Sequence, residues 1–410
     1  MSISPAKTDF KKLGSTSEYS YSFGCAPLDI ALGFNGFRSG KVYEIRGPES
    51  RGKSTLGLEF VFAFGEHWQK LNQPFRIKWI ETESAFDATR TIWMRPDIGP
   101  MIEVDEADTV EQAHTIMREF LKECEENGEK GIIVWDTLAA ASTDAQQSSG
   151  DQYAGGQSEQ ARYLRWMFKD LVPSLGKVGA PLILPNQTYL GRAKMAHLPP
   201  PVVSYGGGAI RYYSSVRVDI QESLKPMNEI TPNGAETEVG IITTNKILKN
   251  KITGVKLPFK LWIRNEEGID KLETTIGFLK ENEILKASGA WKKMPGPDGK
   301  ELSWRSTKEI KDKIELTDPT IKDWMDYQVY NWYSKSSPLV KLRIIEKVWE
   351  YEKQFFGEKR TELSEREIQA GNALEQHAKK QLEREEQKEL EPAKKKRGKK
   401  AKSEGVIELA

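Results

Sequence analysis

Between residues 41 and 222 the chain alternates short apolar runs with stretches of helical periodicity. "KVYEI" (41–45), "RIKWIET" (76–82), "APLILPNQ" (180–187) and "SVRVDIQ" (215–221) read as strands. "GIIVWDT" (131–137) is a continuous apolar run, the pattern of a strand buried on both faces. Between them, "KSTLGLEFVFAFGEHWQ" (53–69), "VEQAHTIMREFLKECEE" (110–126) and "QARYLRWMFKDLVPSL" (160–175) repeat apolar residues at helical spacing. Strands alternating with helices predict an α/β fold with a mainly parallel, doubly wound sheet. "EVGIITTNKILKNKI" and "FKLWIRNEEGID" are expected as a strand pair beside it.

The pattern changes at both ends. Residues 1–24 are polar and Ser-rich and predict a short arm, leaving a core over 25–271. From 272 the periodicity is helical and mixed, which predicts a smaller C-terminal α+β domain over 272–356. Residues 357–410 are rich in Glu, Lys and Gln and poor in aromatics, as expected of a charged helix and a disordered tail.

Composition narrows this little. The 410 residues hold 61 basic and 60 acidic side chains, so net charge points to no partner and only local clusters can. One such cluster is "AKKKRGKKAK" (393–402), which suits low-specificity contact with nucleic acid or simply a solvated tail. Cys25 and Cys124 lie far apart without CxxC spacing, as expected of buried free thiols in a reducing compartment. No run approaches the roughly 18 apolar residues of a membrane span, and the first residues lack an apolar signal core. The expectation is a soluble intracellular protein with no membrane partner.

The clearest chemistry is "GPESRGKST", comprising Gly47, Pro48, Glu49, Ser50, Arg51, Gly52, Lys53, Ser54 and Thr55. It follows a predicted strand and opens a predicted helix, the setting a phosphate-binding loop requires. Glycines turn backbone N–H groups toward phosphates, and the helix N-terminus adds positive potential. Lys53 is expected on the β- and γ-phosphates of a nucleoside triphosphate, and the Ser54 hydroxyl on Mg²⁺. Asp136 ends the apolar strand "IIVWD" and suits the metal's water shell. Glu81 and Glu83, ending "IKWIETES", are both candidates to activate water.

"CAPLDIALG", "GKVYEIRGPESRGKSTL", "IETESAFD", "IIVWDTLAA", "LPNQ", "GGGAIRYYSSVRVDI" and "KILKNKI" occur in an order that resembles the RecA recombinases over about residues 25–290. The likeness extends to the phage-type RecA/UvsX members. It implies a RecA-like ATPase core and singles out Glu83, not Glu81, as the water-activating group. It places Asp87 near the adenine and Arg90 where the family often stacks an aromatic on the base. It makes Gln187 the sensor of the γ-phosphate, and Lys249 and Lys251 cations that reach a neighbouring subunit's nucleotide. Lys249 and Lys251 alternate, so they are expected on one strand face.

Two segments, 142–160 and 188–208, are long, poor in apolar periodicity, and leave the carboxyl ends of predicted parallel strands. They match the family's two DNA-binding loops in position. Arg192, Lys194 and the flexible Gly206, Gly207 and Gly208 are expected to meet phosphates, joined by Arg162 and Lys169. The resemblance thus implies an ATP- and Mg²⁺-dependent recombinase. Its partners would be single-stranded DNA, homologous duplex DNA, further copies of itself in a helical filament, and single-strand-binding and mediator proteins. It would act in the cytoplasm of a bacterial or phage-infected cell. The alternatives are a hexameric helicase or motor on the same core, and a regulatory paralogue without strand exchange.

Overall fold

The computed structural model describes residues 19–149, 156–191, 199–230, 234–336 and 338–357, with 362, 363 and 368. Residues 19–333 form one compact unit, and the described residues beyond belong to a second. The first unit opens with β1 (Ser20–Tyr21), α1 (Ala26–Gly33) and β2 (Phe37–Arg38), and then enters the alternating region. There β3 (Val42–Gly47), α2 (Lys53–Lys70), β4 (Phe75–Glu81), α3 (Ala88–Met94), β5 (Ile102–Glu106), α4 (Val110–Asn127) and β6 (Lys130–Asp136) follow in turn. Next come α5 (Asp144–Ser149), α6 (Gly156–Val178), β7 (Leu182–Leu190), β8 (Val202–Ser204) and α7 (Gly207–Tyr213).

The long hairpin β9 (Val216–Ile230) and β10 (Glu236–Asn250) leads to β11 (Phe259–Arg264), β12 (Gly268–Ile269) and α8 (Lys271–Glu281). A small antiparallel sheet, β13 (Lys286–Ser288), β14 (Trp291–Pro295) and β15 (Glu301–Trp304), precedes α9 (Thr307–Leu316) and α10 (Thr320–Ser336). In the second unit α11 (Pro338–Phe356) buries Val340, Ile345 and Val348.

The main sheet runs β12-β11-β10-β9-β3-β7-β6-β4-β5. Pairing is parallel from β9 through β5 and antiparallel from β9 outward to β12. This is the predicted doubly wound α/β sheet, and the "EVGIIT…" and "FKLWIR" stretches pair at its side as expected. Helix α2 covers one face, where Leu56, Phe60 and Phe64 meet Tyr43, Ile45 and Trp79. Helices α4 and α6 cover the other, where Met117, Phe120 and Phe168 meet Ile133, Trp135 and Leu184. Alternate residues of one strand thus enter different cores, which is why these strands read as unbroken apolar runs.

Several local expectations are corrected. Tyr21 and Phe23, within the supposedly polar arm, are buried in the aromatic core around Phe37 and Phe60. The 142–160 segment is not structureless where it is described. Thr143 and Gln146 form a reciprocal cap at 2.9 and 3.3 Å that starts α5, and Gly156 already belongs to α6. The 188–208 segment is folded at its base, because β7 continues to Leu190 and β8 returns beside it, pairing Thr188 with Ser204 and Leu190 with Val202.

Gly206, Gly207 and Gly208 are not a flexible stretch but the first turn of α7. At Gly206, φ is +78° and a Cβ would stand 2.7 Å from Ile210 and 2.9 Å from Leu138, so the close approach requires glycine. Lys249 and Lys251 do not share one regular strand face either. The register shifts between Ile247 and Lys249, and β10 stops at Asn250. Arg192 and Lys194, and the basic run 393–402, lie outside the described residues.

Candidate functional site

The carboxyl ends of β3, β4, β6 and β7 bring the predicted chemistry together. Register places Gly47 opposite Gln187, and Glu81 opposite Asp136. Between them the loop 47–52 turns into α2, and ligands of open α/β sheets sit at this kind of crevice. Gly52 caps the helix at φ +80°, where a Cβ would meet Ile263 Cδ1 at 2.5 Å. The cradle therefore needs a bare backbone at that point.

Lys53 is buried, and its Nζ donates to Pro48 O at 2.7 Å. Burial holds its pKa below the ordinary lysine value, although Asp136, Glu83 and Glu49 pull it upward. Arg51 Nε is buried with no hydrogen-bond partner among the described residues, a spare donor within the loop. Burial pushes Asp136 up to about 6, opposed by a hydrogen bond from Ser54 and the charge of Lys53. No cluster of three His, Cys, Asp or Glu among the described residues forms a protein-only metal cage. One hydroxyl and one carboxylate do fit Mg²⁺, an ion that keeps its waters and takes phosphate oxygens. The residues present therefore fit a magnesium nucleoside triphosphate.

The two glutamates separate cleanly. Glu81 is buried and engaged at both oxygens: Oε1 accepts from the backbone N–H groups of Glu83 (2.9 Å) and Ala85 (3.3 Å), and Oε2 from Trp79 Nε1 (3.2 Å). It builds the turn. Glu83 is exposed at the crevice, and its Oε1 accepts from Gln187 Nε2 at 2.6 Å. Partial burial raises its pKa, with Glu81 and Glu49 adding repulsion against the pull of Lys53. Trp135 Nε1 donates to Thr82 Oγ1 at 3.0 Å, which pins the backbone between the two carboxylates.

Asp87 caps α3 by accepting from the Arg90 N–H at 2.9 Å. The Arg90 side chain bridges Asn265 O (2.9 Å) and Thr55 Oγ1 (3.3 Å), so its guanidinium is held against the start of α2. Lys249 and Lys251 converge on the carboxyl end of α7. Lys249 Nζ donates to Arg211 O (2.6 Å) and Tyr212 O (2.9 Å), and Lys251 Nζ lies 5.5 Å from the Tyr212 ring centroid. Burial, then the neighbouring cations Lys251 and Arg217, lowers Lys249 to about 8. Arg162 and Lys169 are exposed on α6.

Sequence reasoning passed over one group. Glu44 and Arg217 form a buried ion pair, Arg46 Nε donates to Asp219 at 2.7 Å, and both arginines donate to Ser204 Oγ, at 3.3 and 3.1 Å. Asn186 Nδ2 joins Glu44 (3.1 Å) to Tyr205 O (3.0 Å). The base of the β7–β8 hairpin is thereby fastened to residues adjoining Gly47 and Gln187. The signal was present: "YEIR" and "VRVD" carry charges at alternate positions, and parallel pairing sets Glu44 against Arg217 and Arg46 against Asp219.

The family model for the RecA N-terminal domain matches residues 6–270. The chain belongs to the RecA family. The RecA protein of Colwellia psychrerythraea is 33% identical over 272 residues, covering 66% of this chain and 72% of that one. Those of Helicobacter hepaticus and Petrotoga mobilis are 30% and 28% identical over 303 and 312 residues, covering 72% and 75% of this chain and 82% and 78% of theirs. It is accordingly a RecA-family recombination and repair protein, of a family of DNA-dependent ATPases that use ATP with Mg²⁺. No helix among its described residues is long and apolar enough to cross a membrane.

Proposed function

We propose that the protein is an ATP-dependent recombinase that assembles as a helical filament on single-stranded DNA and exchanges strands with a homologous duplex. The hydrogen bond between Gln187 and Glu83 carries this reading. It joins the carboxylate suited to water activation to an amide at the entry of the β7–β8 hairpin, so one contact can report a γ-phosphate to the 188–208 segment. When bound, Mg·ATP supplies the phosphoryl group and the charge that its residues neutralise. Lys53 and the loop N–H groups hold its phosphates, and Ser54 and Asp136 hold its metal. Asp87 and Arg90 border the base, and Glu83 orients and deprotonates the attacking water. Lys249 and Lys251 complete a neighbour's site. The 142–160 and 188–208 segments meet the DNA.

Electron microscopy with single-stranded DNA and a slowly hydrolysed ATP analogue tests the proposal. Helical filaments are expected; closed rings or isolated particles overturn it. Lys53→Ala is expected to abolish both ATP binding and filaments, and unchanged ATP affinity in that variant removes the basis of the site.

Asp136 adds a pH signature. Metal binding requires the carboxylate, so Mg²⁺-dependent nucleotide affinity is expected to fall as pH drops through about 6. A folded-state pKa above the ordinary aspartate value contributes stability at low pH that is lost as pH rises through about 6. Asp136→Asn is therefore expected to raise the melting temperature of the nucleotide-free protein at neutral pH while removing the Mg²⁺ dependence. Calorimetric titration and thermal melts across that pH range check both signs.

A further inference from the structure

Beyond Gln187 the hairpin of β7 and β8 leaves the main sheet. Strand β3 ends at Gly47, opposite Gln187, and β6 pairs with β7 only at Leu182 and Ile183. Among the described residues, Thr188, Tyr189 and Leu190 therefore have β8 as their one strand neighbour. A two-stranded ribbon of this kind is marginal by itself and twists about the strand that carries it, unless its second strand is fastened too.

Arg46 supplies that fastening. It is the residue before Gly47 and so leads directly into the phosphate loop. Its Nε donates to Asp219 Oδ1 of β9 at 2.7 Å, while Nη1 reaches Ser204 Oγ at 3.3 Å and Val202 O at 3.4 Å. One planar group thus spans from the sheet to both ends of β8. Arg217, paired with Glu44, adds a second donor to Ser204 Oγ at 3.1 Å, which uses both acceptor positions of the hydroxyl. The Tyr205 N–H closes the hairpin on Gln187 O at 3.4 Å.

The cluster has no spare charge to offer a ligand. Glu44 and Asp219 balance Arg217 and Arg46, and Lys249, level with Arg217 on β10, is held at α7. Glu44, Arg46, Arg217 and Ser204 are all buried. Replacing a buried ion pair by uncharged groups of similar size is often neutral for stability, so its removal should tell on what it holds in place. The hairpin is held at two points. On the β7 side Gln187 meets Glu83 at 2.6 Å, and on the β8 side Arg46 meets Ser204 and Val202. A shift at Gln187 turns the hairpin as one body only if β8 is tied to the strand that carries the loop.

We propose that Arg46 is a positioning residue that locks the β7–β8 hairpin to the nucleotide loop, and thereby sets how strongly nucleotide and single-stranded DNA favour each other's binding. The inference rests on the recombinase reading and adds to it the contact that acts on the β8 side.

The test measures binding of labelled oligothymidine to the full chain with and without a slowly hydrolysed ATP analogue, and of the analogue with and without oligothymidine. Reciprocity requires one coupling factor from both measurements. Arg46→Met combined with Asp219→Asn removes both charges together, and each ligand alone is expected to bind within about twofold of the parent. The coupling factor is expected to fall by about 5-fold or more, the lower end of allosteric couplings. Arg46→Lys keeps a charge beside Asp219 but not the planar fork, so it is expected to melt with the parent and still to lose coupling.

Parental coupling in either variant overturns the proposal and leaves the recombinase reading standing. Weakened analogue binding in the absence of DNA also overturns it, because Arg46 would then serve the loop alone. A parent that binds no single-stranded DNA overturns the recombinase reading, and the positioning role with it.

Discussion

Replacing Lys249 and Lys251 together by alanine is expected to lower DNA-stimulated ATP turnover by about 10³-fold or more, the usual cost of removing a trans cation from a phosphoryl-transfer site. ATP binding should persist, because Lys53, Ser54 and Asp136 all belong to the same chain. Within one chain both lysines are occupied at α7, where Lys249 Nζ holds the carbonyls of Arg211 and Tyr212. Reaching a neighbour's phosphates requires giving up those contacts, so the double variant also loosens α7, by about 0.3–1 kcal/mol for cations at a helix carboxyl end. With Lys249 lowered to about 8, its charge is present at neutral pH and lost above that value.

A mixing experiment distinguishes a trans role from a merely structural one. The lysine variant keeps Glu83, and a Glu83→Gln protein keeps the lysines. Co-assembled on one DNA strand, some junctions pair a working carboxylate with working cations, and activity should reappear. A mixture as inactive as its parts, with co-assembly verified by sedimentation, returns the lysines to the role of capping α7.

Glu83→Gln alone is expected to reduce turnover by about 10²- to 10⁴-fold, the range for loss of a general base. ATP-bound complexes on DNA should remain tight. The substitution is mild here because Glu83 Oε1 accepts from Gln187, and a glutamine oxygen can accept the same hydrogen bond. Glu81 offers no substitute base, since its oxygens already accept from Glu83 N–H, Ala85 N–H and Trp79. Rapid-quench measurement of a single turnover isolates the chemical step. Parental rates there would remove Glu83 from the mechanism.

The nucleotide loop, Asp136 and the two glutamates were legible in the sequence because their chemistry depends on local spacing. A glycine-rich turn between strand and helix, and an acid at the end of an apolar run, are written in consecutive residues. The choice between Glu81 and Glu83 by side chain alone was not legible. It depends on Trp79 reaching one of them and Gln187, 104 positions away, reaching the other. The local structure of the two long segments was hidden for a related reason. Polar composition in 142–160 concealed the Thr143–Gln146 cap, and the strand pairing of Leu190 with Val202 closes over a segment that has no periodicity of its own.

By itself, then, the order of residues determined the layered α/β class, the glycine-bounded loop that opens α2 and the acids around it. All of these follow from the period of apolar positions and from backbone demands within a few residues. Only the tertiary structure decided what these groups are joined to. Glu44 meets Arg217 across 173 positions, Arg46 and Arg217 meet at Ser204, and Lys249 closes on α7. Strand order and register make such contacts, since a buried charge takes whichever partner the sheet sets beside it.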